Sequence, residues 1–165
     1  MKRFLSLGLL SVLALSACGT PAEESAMVEL SSEPVELTFL SGDYSYIFRY
    51  SDDVMTLLDD ETANPHFAVQ GGAELMVSAE ALDGAAFVSK QSTVETWNGN
   101  EVFLYKGETA AACPAEYATL VYDKQALTAE LSLCAGANKN KGREALKALF
   151  EGLTLSGGQP GDYSL

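Results

Sequence analysis

Apolar positions recur at every second residue along the first half of this chain. Val35, Leu37 and Phe39 form one such run, Ser41-Gly42-Asp43 interrupts it, and Tyr44, Tyr46, Phe48 and Tyr50 then alternate with Ser45, Ile47 and Arg49. A period of two sends successive side chains to opposite faces of an extended backbone, so this stretch predicts two strands joined by a turn. Val54 to Leu58 and Phe67 to Val69 predict further short strands around a polar turn from Asp59 to Pro65, and Ala73 to Val77 predicts another after Gly71-Gly72. The period then loosens. Ala79 to Lys90 is alanine-rich, with Leu82, Ala85, Ala86 and Phe87 at roughly helical spacing, and predicts a helix.

Asn98-Gly99 is the sharpest local signal, because both residues tolerate the positive φ angles of a type I′ turn. It joins Thr93–Trp97 to Asn100–Lys106 and sets Val94 opposite Phe103 and Trp97 opposite Asn100. A second hairpin follows, with Ala118–Tyr122 and Leu127–Leu133 meeting near Asp123-Lys124. In that register Leu120 lies across from Leu127 and Ala118 from Ala129, with Leu131 and Leu133 on their face and Thr119, Thr128, Glu130 and Ser132 on the other. Arg143 to Leu153 carries Leu146, Leu149, Phe150 and Leu153 at helical spacing and predicts an amphipathic helix packed on a sheet. The Gly-rich stretch from 155 to 165 predicts a flexible tail.

The N-terminus has a different pattern. Lys2 and Arg3 precede an apolar run from Phe4 to Ala14, and Leu15-Ser16-Ala17-Cys18 closes it. The run is shorter than the roughly 20 apolar residues a membrane span needs. This order resembles the bacterial lipoprotein signal with its lipobox. The resemblance implies cleavage before Cys18, a diacylglyceryl group on its sulfur, further acylation by a fatty acid such as palmitate, and anchoring of an exported domain to a bacterial membrane by these acyl chains. Gly19 is not the aspartate associated with inner-membrane retention in enteric bacteria, which favours the outer membrane where a cell has two. Residues 18–34, with Gly, Thr, Pro, Ser and four glutamates, then form a flexible tether ahead of a single domain from 35 to 154.

With Cys18 lipidated, Cys113 and Cys134 remain as a pair in an oxidising compartment. The second hairpin's register sets them opposite each other on its more polar face, so a disulfide is expected, contributing about 3 kcal/mol in the chain-entropy model.

Charge narrows the function. The chain carries 10 basic and 23 acidic side chains, and removing residues 1–17 takes away two of the former and none of the latter, leaving a formal charge of −15. Such a surface repels nucleic-acid phosphates and anionic headgroups. Lys139, Lys141, Arg143 and Lys147 concentrate the positive charge near the last helix, either as a docking patch or as solvation, with Glu144 and Lys147 as an i,i+3 pair.

Catalytic patterns are sparse. His66 is the one histidine, in a predicted surface turn, and there is no G-x-S-x-G to present a serine to it. Asp52-Asp53 and Asp59-Asp60-Glu61 lack the spacing of a calcium loop. Leu155-Ser156-Gly157-Gly158-Gln159 spells the signature of ABC-transporter ATPases, but no G-x-x-x-x-G-K-[ST] accompanies it to hold phosphates. No catalytic residue, cofactor, metal or nucleotide is therefore expected, and the protein is expected not to be an enzyme.

The aromatic strand ending in Tyr50-Ser51-Asp52, the Trp97-Asn98-Gly99-Asn100 turn leading to Val102-Phe103-Leu104-Tyr105, the two long paired strands and the closing Ala145-Leu146-Lys147-Ala148-Leu149-Phe150 helix together resemble the PsbP/Mog1-like fold. The resemblance implies an α+β sandwich, an antiparallel sheet of hairpins packed with one or two helices. It also implies assembly or partner-binding duties rather than catalysis. Tyr44, Tyr46, Trp97, Lys139, Lys141 and Arg143 are the candidate interaction residues. The expected function is a non-enzymatic accessory or interaction module of the cell envelope. The alternative is a lipoprotein that binds a small ligand or cation. A concave pocket lined with Tyr and Trp would favour the alternative, and a flat exposed patch the interaction module.

Overall fold

The structure, a computed structural model, describes residues 33–59, 64–82 and 90–157. The proposed signal, Cys18 and most of the tether lie outside them, as does the chain beyond Gly157. The described residues form ten strands and one helix: β1 (Val35–Ser41), β2 (Tyr44–Tyr50), β3 (Met55–Asp59), β4 (His66–Val69), β5 (Ala73–Ala81), β6 (Thr93–Trp97), β7 (Asn100–Glu108), β8 (Pro114–Tyr122), β9 (Gln125–Ser132), α1 (Lys139–Glu151) and β10 (Leu153–Ser156). All pairing is antiparallel, in a small sheet of order β1-β2-β10 and a seven-stranded sheet of order β3-β4-β5-β9-β8-β7-β6.

This corrects the expected fold class. The described residues are mostly β, with two sheets and a single helix, rather than an α+β sandwich of the PsbP/Mog1-like kind. The expected middle helix begins instead as strand. Ala79, Glu80 and Ala81 complete β5 and pair with Leu127, Ala126 and Gln125 of β9, while residues 83–89 lie outside the described residues. Alanine's helical preference is worth only tenths of a kcal/mol per residue over most other residues, and a ladder of backbone hydrogen bonds along a long partner strand outweighs it.

The hairpin registers follow the local turn chemistry. Asn98 and Gly99 take φ angles of 48° and 79°, and Trp97 pairs with Asn100 and Val94 with Phe103. In the next hairpin Ala118 pairs with Ala129 and Leu120 with Leu127. Continuing that register past the strand ends, Cys113 and Cys134 are bonded, with S–S 2.02 Å and Cα atoms 4.9 Å apart. The bridge ties the β7–β8 connection to the segment entering α1.

The helix runs from Lys139 to Glu151, four residues earlier at its start than the apolar spacing predicts. Asn138 is the reason, since its side-chain oxygen accepts hydrogen bonds from the Asn140 and Lys141 amides. At the other end Arg49 N–H donates to the Gly152 carbonyl at 3.0 Å, an approach so close that a Cβ on residue 152 would collide with the Arg49 carbonyl oxygen. The chain then turns into β10, where Leu153 pairs with Phe48 and Leu155 with Tyr46. Leu155 and Ser156 therefore belong to a sheet and not to the expected tail.

One core joins both sheets and the helix. It contains Phe39, Tyr46, Phe48 and Tyr50 of the small sheet, Phe67, Leu75, Val77, Leu120, Leu127 and Leu131 of the large one, and Ala145, Leu146, Leu149 and Phe150 of α1. The aromatic stripe of β2 thus faces inward. Tyr46 stacks on Phe39 with ring centroids 5.6 Å apart, and Tyr50 meets Phe67 edge-on at 5.2 Å. Among the described residues no helix is long and apolar enough to cross a membrane.

Candidate functional site

The inner face of the large sheet is not covered completely. Helix α1 lies across β4, β5 and β9 and reaches the end of β6, and where it diverges from β6, β7 and β8 a cleft of about 700 Å³ opens to solvent. Its apolar floor is Leu104 of β7, Leu146 of α1 and Trp97 of β6. Trp97 is held there by an edge-on contact with Phe150, centroids 5.7 Å apart. Its indole N–H donates to Glu95 Oε2 at 2.9 Å, so the ring offers the cleft a hydrocarbon edge rather than a donor.

The polar wall is built around Glu116. This residue lies on β8 with the same side-chain parity as Ala118 and Leu120, so the pleat turns a carboxylate toward the core side. Its side chain is 12% exposed. Arg143 grips it from the helix through two parallel bonds, Nε to Oε2 and Nη2 to Oε1, the second at 2.7 Å, and Lys139, one turn earlier, reaches Oε1 at 2.9 Å. Burial pushes the Glu116 carboxyl up, but the hydrogen bonds from Arg143 and Lys139 outweigh it and the net shift is downward. Arg143 is shifted upward, chiefly by its bond to Glu116 and with a smaller contribution from Glu95. Both shifts favour the charged forms of Glu116 and Arg143.

The predicted interaction residues separate under this geometry. Trp97 and Arg143 meet in the cleft. Lys139 is committed to Glu116, Lys141 donates to Gln70 Oε1 at 2.6 Å, and Lys147 pairs with Glu151 at 3.7 Å rather than with Glu144. The expected basic patch is thus tied up in contacts within the molecule, with two carboxylates, Glu116 and Glu151, set against its four cations. Tyr44 is half-buried, and its hydroxyl donates to Asp123 Oδ2 at 2.7 Å. Tyr46 is 1% exposed and offers no surface to a partner. Its hydroxyl finds no acceptor among the described residues, and burial pushes its pKa up to about 12.

His66 is not in a turn. It opens β4, and its Nε2 lies 3.2 Å from Glu74 Oε2 on the neighbouring strand. Asp52 and Asp53 occupy the β2–β3 turn, where Ser51 Oγ accepts from the Asp53 amide at 3.3 Å. Among the described residues no three His, Cys, Asp or Glu side chains converge as a metal site would require.

Sequence reasoning passed over Glu116, Lys106, Leu104 and Leu146 as parts of one site. The signal for Glu116 was present, since extending the second hairpin's alternation to residue 116 sets a carboxylate on the Ala118–Leu120 face, where an ion pair is the natural resolution. Comparison of the chain with protein-family models, with curated proteins and with solved structures finds no match in any of the three.

Proposed function

We propose that this chain is an exported lipoprotein, anchored by acyl chains on Cys18, whose domain captures a small ligand in the cleft between α1 and the β6–β8 end of the large sheet. The observation that carries this reading is the cleft itself. It is concave, of about 700 Å³, floored by Trp97, Leu104 and Leu146 and edged by charged side chains, which is the scale and mixture of surfaces typical of small-molecule sites. Among the described residues the larger exposed apolar side chains, Leu40, Leu58, Met76 and Val94, sit on four different strands, β1, β3, β5 and β6. That dispersal gives less support to a flat docking patch.

Two measurements test the two halves of the proposal. Trp97 is the sole tryptophan of the chain, so its fluorescence reports directly on the cleft. A saturable change on titration with an apolar small molecule, absent in Leu104→Arg while that variant stays folded by circular dichroism, is the expected result. Metabolic labelling with a fatty acid should mark the wild-type protein and not Cys18→Ala. A labelled Cys18→Ala protein would rule out the anchor.

The interaction module remains the second reading, and one observation favours it. Strand β6 forms an edge of the large sheet, and Thr93, Val94, Glu95 and Thr96 are all exposed along it. An extended segment of a partner could pair there.

A further inference from the structure

The hydrogen-bonding groups of the cleft are already partly assigned to one another, and cations outnumber carboxylates among its charged lining residues. Of the two carboxylates that line it, Glu116 is the more fully engaged. Glu95 accepts the Trp97 indole N–H, and Glu116 accepts from Arg143 twice and from Lys139 once. The cations are not used up in the same way. A guanidinium carries five N–H groups. Arg143 directs Nε–H and one N–H of Nη2 to Glu116, which leaves three N–H groups, two of them on Nη1, without a hydrogen-bond acceptor among the described residues. The Lys106 ammonium, on the strand beside Glu116, has no ionic partner among the described residues.

Glu116 therefore acts as a positioning residue. By clamping one edge of the Arg143 guanidinium it fixes the direction of the other, so the free edge is presented without a large entropic cost on binding. Trp97, Leu104 and Leu146 supply apolar surface beside these donors. From this division we infer that the cleft takes an amphipathic organic anion, a carboxylate or similar acidic head on a flat or compact apolar body. The head meets Arg143 Nη1 and Lys106, and the body lies on Trp97 and the two leucines. The inference deepens the ligand-binding reading and rests on it. In a chain with net charge −13, a local group of cationic donors is selective, because the acidic surface as a whole repels anions and this cleft attracts them.

The test uses the full chain carrying Cys18→Ser and three probes with one apolar body: naphthoate, naphthamide and naphthylmethylammonium. Calorimetric titration should show naphthoate binding at least about ten-fold tighter than naphthamide, and naphthylmethylammonium weakest. Lys106→Met should cut naphthoate affinity several-fold and leave naphthamide unchanged. Glu116→Gln, which releases the Arg143 edge, should weaken naphthoate in the same selective way while the protein stays folded by circular dichroism. Equal affinity for naphthoate and naphthamide, or preference for the ammonium, would overturn the anionic assignment and leave the ligand site standing. Failure of all three probes to bind would overturn both.

Discussion

On the inner face of the seven-stranded sheet, Phe67, Leu75, Val77, Leu120, Leu127 and Leu131 lie against α1 and the small sheet in one continuous core. On the outer face of the same strands the buried groups are few and paired. Tyr105 and Tyr117 stack with centroids 4.8 Å apart, Thr119 Oγ1 and Thr128 Oγ1 share a hydrogen bond of 2.9 Å, and Val121 and Ala126 complete a small satellite cluster with Leu82 and Phe103. The inner face is held by the total area removed from water. The outer face is held by cross-strand neighbours, which act two at a time. Thr119 shows the difference most plainly, being 0% exposed on the face that alternation marks as polar.

The largest expected effect is on the inner face. Phe67→Ala should cost about 3–5 kcal/mol in urea denaturation, from lost transfer energy and the cavity left beside Tyr50, whereas Tyr117→Ala on the outer face should cost clearly less. Equal losses would break the comparison. Next is the bridge, which shares the outer face's side-chain parity. Replacing Cys113 and Cys134 together by Ala should cost about 3 kcal/mol by freeing the loop between them, and an unchanged midpoint would show that cross-strand pairing alone fixes that end of the sheet.

Glu116→Gln follows, at about 1–3 kcal/mol at neutral pH, because two cations lose a charged acceptor. The pH dependence has a definite sign. The Glu116 pKa is lower in the folded than in the unfolded chain, so its contribution is complete above about pH 4.3, the ordinary glutamate value, and is lost as pH falls through the folded value. The stability gap between wild type and Glu116→Gln should therefore close on acidification, and a gap that widened in acid would refute the ion pair. The smallest effect belongs to the threonines. Thr119→Val alone should cost about 1 kcal/mol by removing a partner of both Thr128 and the Tyr105 hydroxyl, and Thr119→Val with Thr128→Val should cost less than the sum of the two single losses. Additive losses would mean that the two hydroxyls are not a pair.

Local chemistry made the hairpins legible. Asn98-Gly99 sets a two-residue turn whatever surrounds it, and once the β8–β9 register is given, the alternation of Ala118, Leu120, Leu127 and Leu131 and the opposition of Cys113 and Cys134 follow from a period of two. The inward aromatic stripe of β2 was legible only in part, because Tyr44, Tyr46, Phe48 and Tyr50 mark one face without saying what covers it. Ala79–Ala81 was misleading. A short alanine run carries too little intrinsic preference to resist a partner strand, and β9 lies more than 40 positions away along the chain.

The sequence by itself determined the hairpin turns at Asn98-Gly99 and Asp123-Lys124, the periods of their strands, the cysteine pairing, the amphipathic face of α1 and the acidic charge, since each depends on neighbours a few residues away or on composition alone. Only the tertiary structure decided that β10 returns to β2 and that β5 extends through Ala81. It also decided that Glu116 receives Arg143 and Lys139 and that Trp97, Leu104 and Leu146 form the floor of one cleft. The reason is physical. A backbone edge, a half-buried carboxylate and an apolar face can each be satisfied by many partners, and the choice among them is made by which elements the packed core brings within reach.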